Sequence, residues 1–150
     1  MYNRILVTLD GSELAEEVIP YAEDIGTKMK SEIILLRVSP PVQALEENGR
    51  VISTVDQEME RVAAEYNEYL SRIAFRFRSK GLKTRMVVRF GDPAEQIVDF
   101  AKDDGIDLIT MCTHGRSGVS RWVYGSVADR VLRAASMPVL LIRASIAKPE

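Results

Sequence analysis

The chain of 150 residues holds one cysteine, one histidine and one tryptophan. A lone Cys112 excludes an internal disulfide framework and a multi-cysteine zinc site, and it fits a reducing compartment. His114, the only histidine, has no second imidazole with which to share a metal, so no metal site is expected. The formal net charge of -2 leaves no broad basic field, which argues against nucleic acid and anionic membrane as partners. No apolar run approaches the length that crosses a bilayer, and Met1-Tyr2-Asn3-Arg4 leads directly into a strand-like segment without an apolar signal region, so the expected location is cytoplasmic. Two phosphate motifs are also missing: no GxxxxGK(S/T) follows a strand, and no GxGxxG opens the first helix.

What is present is an ordinary globular composition, 46% hydrophobic and 28% charged, in a length that suits one domain. Short apolar runs alternate with longer amphipathic ones, the pattern of a parallel α/β sheet covered by helices on both faces. Five strands are expected at Arg4 to Leu9, Ile33 to Val38, Thr84 to Arg89, Leu108 to Cys112 and Val139 to Arg143. Four helices fill the gaps. The first, from about Glu13 to Met29, carries an apolar stripe through Leu14, Val18, Ala22, Ile25 and Met29, with a kink expected at Pro20. The second, from about Gln57 to Ser79, places Met59, Val62, Tyr66, Leu70, Ile73 and Phe77 at helical spacing and stops at Gly81. The third opens on Asp92-Pro93-Ala94-Glu95, a cap and capping box, and the fourth follows Gly125-Ser126 with Val127, Val131, Leu132 and Ala135 on one face. The connection from Ser39 to Asp56 is longer than packing requires, which suits a lid or a tolerated insertion equally. No repeat or linker divides the chain; one domain is expected over 1–147, with Lys148-Pro149-Glu150 a loose tail.

Ligands of an open parallel sheet bind beyond the carboxyl ends of the strands where the strand order reverses. Strand one ends in Thr8-Leu9-Asp10-Gly11-Ser12 and strand four in Met111-Cys112-Thr113-His114-Gly115, the richest polar tips in the chain. In the order 3-2-1-4-5 these two are neighbours and the reversal lies between them. Asp10 has the placement to accept hydrogen bonds from ribose hydroxyls, and it or Ser12 equally has the placement to cap the first helix. The segment from His114 to Ser126 is the more specific feature. Gly115 lets backbone approach a ligand, and Gly125-Ser126 opens a helix whose first amides can bind an anion, with Arg116 and Arg121 either adding charge or standing in solvent. A triad drawn from Asp10, Cys112 and His114 carries little weight, because nothing fixes a base, a nucleophile and an oxyanion hole together.

Ile5-Leu6-Val7-Thr8-Leu9-Asp10-Gly11-Ser12, the Gly91-Asp92-Pro93-Ala94 turn and Thr113-His114-Gly115-Arg116-Ser117-Gly118 followed by Gly125-Ser126-Val127-Ala128 closely resemble the universal stress protein family over essentially the whole chain. Its ATP-binding members carry a glycine, two residues, a glycine, nine residues, then Gly-Ser or Gly-Thr. Here Gly115, nine residues, Gly125 and Ser126 match the second half, while Cys112 replaces the first glycine. The resemblance implies the Rossmann-like 3-2-1-4-5 sheet of adenine nucleotide alpha hydrolase-like proteins, ATP with Mg as ligand, and a homodimer through the last strand, Val139 to Ile142. It also implies that Thr8, Leu9 and Val38 line the adenine pocket, that Asp10 meets the ribose, that Met111 and Cys112 border base and sugar, and that Gly115, Gly125, Ser126 and Val127 hold the phosphates beside His114 and Arg116.

The leading expectation is therefore a homodimeric, ATP-binding stress-response sensor or adaptor and not a catalyst. Three other readings stand beside it: a slow ATPase or a protein that phosphorylates itself at Ser120 or Ser126, a non-nucleotide interaction module kept open by Cys112, and, last, a phospho-acceptor receiver, for which Phe90-Gly91-Asp92 offers no suitably placed acid.

Overall fold

The computed structural model describes residues 1–113 and 125–145. Along them run β1 (Arg4–Leu9), a 3-10 turn (Ala15–Val18), α1 (Ile19–Met29), β2 (Glu32–Ser39), β3 (Leu45–Glu47), β4 (Arg50–Ser53), α2 (Val55–Ser79), β5 (Thr84–Phe90), α3 (Pro93–Asp103), β6 (Leu108–Cys112), α4 (Ser126–Ala134) and β7 (Val139–Ile142). Five of the strands form one parallel sheet in the order β5-β2-β1-β6-β7, which is the expected 3-2-1-4-5 arrangement.

Strand alternation sends the β1 side chains to two separate cores. Ile5, Val7 and Leu9 pack with Ile33 and Leu35 of β2 under α1 and α2, where Leu70, Phe77 and Val18 are also fully buried. Leu6 joins Ile34 and Leu36 on the other face beneath Ile97 and Phe100 of α3 and Ala128 and Val131 of α4. Because both faces are covered, the strands read as unbroken apolar runs; each such side chain removed from water contributes about 1.5–3 kcal/mol.

The structure departs from the sequence reading in several places. The connection of residues 39–56 is not structureless: β3 and β4 pair antiparallel across Asn48-Gly49, with φ of 53° and 78°. Asn-Gly favours this tight hairpin because both of its central residues tolerate positive φ. Pro20 does not kink a long first helix but sits in the first turn of α1, where its missing N–H leaves no hydrogen bond unmade, and the 3-10 turn precedes it. Met29 and Leu132, assigned to apolar stripes, are exposed: Met29 is the last residue of α1, and on α4 it is Val131, one residue before Leu132, that turns to the core. The last strand stops at Ile142, one residue short of Arg143.

The expected cap of α3 is Asp92, which accepts from the Glu95 N–H at 3.0 Å; among the described residues the reciprocal bond from the Glu95 side chain is not formed. The full capping box belongs instead to α2, where Thr54 and Gln57 each accept from the other's backbone N–H. No helix among the described residues is long and apolar enough to cross a membrane.

Candidate functional site

β1 stands between β2 and β6, and its connection to β2 leaves in the opposite direction from the later crossover into β6. The paired register of β1 with β6 ends at Val7 and Thr110, and beyond it the two carboxyl ends open a cleft of about 160 Å³. Thr110 Oγ1 donates to the Leu6 carbonyl over 2.9 Å, which locks the two strands together directly beneath the cleft.

Of the residues singled out from sequence, Thr8, Leu9, Asp10, Val38, Met111, Cys112 and Val127 line this cleft together. Gly125 and Ser126 stand at the start of α4 beside Val127 but are not part of the lining. His114, Gly115 and Arg116, with Ser120 and Arg121, lie outside the described residues. Sequence reasoning missed Leu14, Ala15, Leu36, Pro93, Ile97 and Thr113. Leu36 could have been found, because side chains two apart on a strand share a face and Val38 was already assigned. Pro93 and Ile97 carry no such local signal; they reach the cleft only because α3 packs across β2.

At the rim the chain turns on Asp10. The Ser12 backbone N–H donates to Asp10 Oδ1 at 2.8 Å and the Ser12 hydroxyl to the same oxygen at 2.5 Å. The Ser12 oxygen then accepts from the Ala15 N–H at 3.1 Å, so Ser12, not Asp10, serves the first amide of the 3-10 turn. The exposed Asp10 carboxylate is thereby held in one orientation at the mouth of an otherwise mainly apolar cleft.

Met111 is buried against the α3 and α4 core, whereas Cys112 is half-buried and packs on the opposite side, against the core beneath α1 and α2. Burial pushes the Cys112 thiol up to about 11, with the Glu17 and Asp10 carboxylates adding to the rise and the Val18 N–H opposing it. At neutral pH the group is a protonated thiol and a poor nucleophile. Among the described residues no group of three or more His, Cys, Asp or Glu side chains could hold a metal ion.

From α4 the cleft takes Val127, in the first turn of the helix. Gly125 is its N-cap and, having no side chain, supplies no capping bond, and among the described residues no side chain caps the opening turn. One turn further on, Arg130 ties α4 to α3, its Nη1 donating to Asp92 Oδ1 at 2.9 Å.

A model of the universal stress protein family matches residues 1–143. The chain is 33% identical over 147 residues to the universal stress protein MJ0531 of Methanocaldococcus jannaschii, covering 95% of this chain and 83% of that one. The solved structure of MJ0577 from the same organism superposes with a TM-score of 0.82 at 28% identity, covering 97% of this chain and 98% of that one. A universal stress protein from Archaeoglobus fulgidus solved in complex with dAMP shares the fold, with a TM-score of 0.67 at 22% identity over 94% of this chain and 98% of that one. With its sheet order, its cleft at the strand reversal and a family match across nearly its whole length, the chain belongs to the universal stress protein family.

Proposed function

We propose that the cleft binds an adenine nucleotide, ATP with Mg, and that the protein acts as a stress-response sensor or adaptor and not as a catalyst. The observation that carries this reading is the joining, at one strand reversal, of an apolar slot for a base, a fixed carboxylate for a sugar and a glycine-led helix N-terminus for phosphate. Leu36, Val38, Ile97 and Met111 give the slot its apolar walls, and a purine ring buried there loses contact with water on both faces. Asp10, oriented by Ser12, accepts from ribose hydroxyls. The amides opening α4 at Ser126 and Val127 face the phosphates, where the helix dipole favours negative charge. The dAMP held by the A. fulgidus relative supports the adenine assignment. Magnesium on ATP would be held chiefly by phosphate oxygens, since the described residues offer no metal cluster of their own.

The adaptor reading rests on the chemistry of the rim. Cys112 is kept protonated, and Asp10 is engaged by Ser12 in a turn. β7, hydrogen-bonded to β6 on one side, is an edge of the sheet, and its half-buried Val139, Leu140 and Leu141 suit pairing with a second copy. The reducing environment suited to a lone thiol agrees with a cytoplasmic location.

Thermal melting tests the ligand. Mg-ATP at a hundredfold excess over its dissociation constant raises stability by about 2.7 kcal/mol, while the same concentration of a ligand that does not bind raises it not at all. Absence of any shift with Mg-ATP, and of nucleotide in freshly purified protein, overturns the reading. Light scattering tests the dimer, which a particle of the monomer mass of 16.8 kDa would rule out.

A further inference from the structure

Arg37 occupies the position between two cleft residues and faces away from them. Leu36 and Val38 line the cleft, so strand alternation sends the intervening side chain to the opposite face of the sheet, toward α2. Its register partner on β1 is Leu9, the residue before Asp10. There the guanidinium lies 3.7 Å from the centroid of Tyr66 and 4.8 Å from that of Tyr69, both on α2.

The guanidinium also stands where a side chain at Gly11 would lie. A Cβ built at Gly11 would stand 2.7 Å from Arg37 Nη2 and 2.9 Å from Cζ, and Gly11 itself has a φ of +87°. Only glycine allows both that backbone conformation and that approach. Tyr69 ties in the far end of the same loop, its hydroxyl donating to Glu16 Oε2 at 3.2 Å in the 3-10 turn. The turn that presents Asp10 is thus gripped on the cleft side by Ser12 and supported from behind by a cation packed on two rings.

We propose that Arg37 is a positioning residue: wedged on Tyr66 and Tyr69, its guanidinium is the support against which the Asp10-Gly11-Ser12 turn rests, and it sets where the Asp10 carboxylate meets the ribose. The inference rests on the nucleotide reading above. A planar guanidinium stacks on a ring and lies flat under a peptide, which a compact ammonium does not do, so charge alone does not replace it. The consequence is that an α2 surface on the far side of the sheet governs sugar recognition in the cleft.

The test is titration calorimetry of the full-length protein with Mg-ATP and with its 2′,3′-dideoxy analogue. Wild type is expected to prefer ATP by about tenfold or more, the worth of a hydrogen bond to a charged acceptor. Asp10→Ala, Arg37→Met and Arg37→Lys should each bring the preference close to unity, and Asp10→Ala combined with Arg37→Met should bind ATP no more weakly than Asp10→Ala alone. Tyr66→Leu removes the nearer ring without touching the turn, and it should show the same loss if the Arg37 variants melt too low to titrate. Retention of the wild-type preference in Arg37→Lys, Arg37→Met and Tyr66→Leu overturns the proposal alone, as does an Arg37→Met effect that adds fully to that of Asp10→Ala. A wild type that binds neither nucleotide overturns the nucleotide reading, and one that binds both equally removes Asp10 from the ribose and the role of Arg37 with it.

Discussion

Asp92 and Arg130 join two helix starts: the carboxylate that caps α3 accepts from the Arg130 guanidinium at 2.9 Å, one turn into α4. Both helices contribute to the cleft, α3 through Pro93 and Ile97 and α4 through Val127. Arg130 beside Asp92, and after it the Glu95 N–H, holds this carboxyl below its ordinary value. A group whose pKa is depressed by folding stabilises above its unfolded value and loses that contribution as pH falls through the folded one. Asp92→Asn keeps a capping oxygen and removes the charge. It should melt below wild type at pH 7, with the gap closing as pH falls below about 4.

A second acid pins the opposite face. Glu23 of α1 is buried and meets both Arg76 of α2 and Lys80, the residue that caps the end of α2. Burial raises its pKa, but the bonds from Lys80 and Arg76 outweigh that and hold the carboxyl below the ordinary range. Its stabilisation is therefore present above about pH 4.5 and is lost on further acidification. Glu23→Gln should cost about 1–3 kcal/mol in urea unfolding at pH 7, below the ~3–5 kcal/mol of a fully buried pair because both cations are half in water. Equal midpoints at pH 7 would show that the pair contributes nothing.

Alkylation reads the state of Cys112 directly. With its thiol pushed up to about 11, iodoacetamide should modify it far more slowly at pH 8 than a free thiol, with the rate climbing steadily toward pH 11. In 6 M guanidinium the rate should rise to that of an ordinary cysteine. Rapid modification of the native protein at pH 7 would contradict the burial assigned to this side chain.

Two phenylalanines two residues apart on α2 should behave as opposites. Phe77 is fully buried, and Phe75 is 73% exposed. Phe77→Ala should destabilise by about 3–5 kcal/mol through lost burial and a residual cavity, and Phe75→Ala by no more than ~0.5 kcal/mol. Denaturant midpoints at constant slope decide both.

The cleft was legible where local pattern sufficed. The polar tips of two apolar runs marked the region and singled out Asp10, and the family resemblance added Thr8, Leu9, Val38, Met111 and Cys112. Leu14, Ala15, Pro93 and Ile97 were not found, since what brings them to the cleft is the packing of whole elements against the sheet. The Asn48-Gly49 hairpin had a strong local signal that was passed over in favour of an irregular loop.

The sequence by itself determined the strands of the main sheet, the helices that cover both its faces and the family, because periods of two and 3.6 residues and short glycine motifs are local properties of the chain. It left open whether Asp10 capped a helix or faced a ligand. The structure gives the first amide of the 3-10 turn to Ser12 and leaves the Asp10 carboxylate exposed at the rim, the placement on which the proposed ribose contact rests. The tertiary structure alone decided that Arg37 stands under Gly11. The two are brought together by the pairing of β1 with β2 and by the tyrosines of α2, which lie 29 and 32 residues along the chain from it. No periodicity marks such a contact, since it arises only when three elements pack at once.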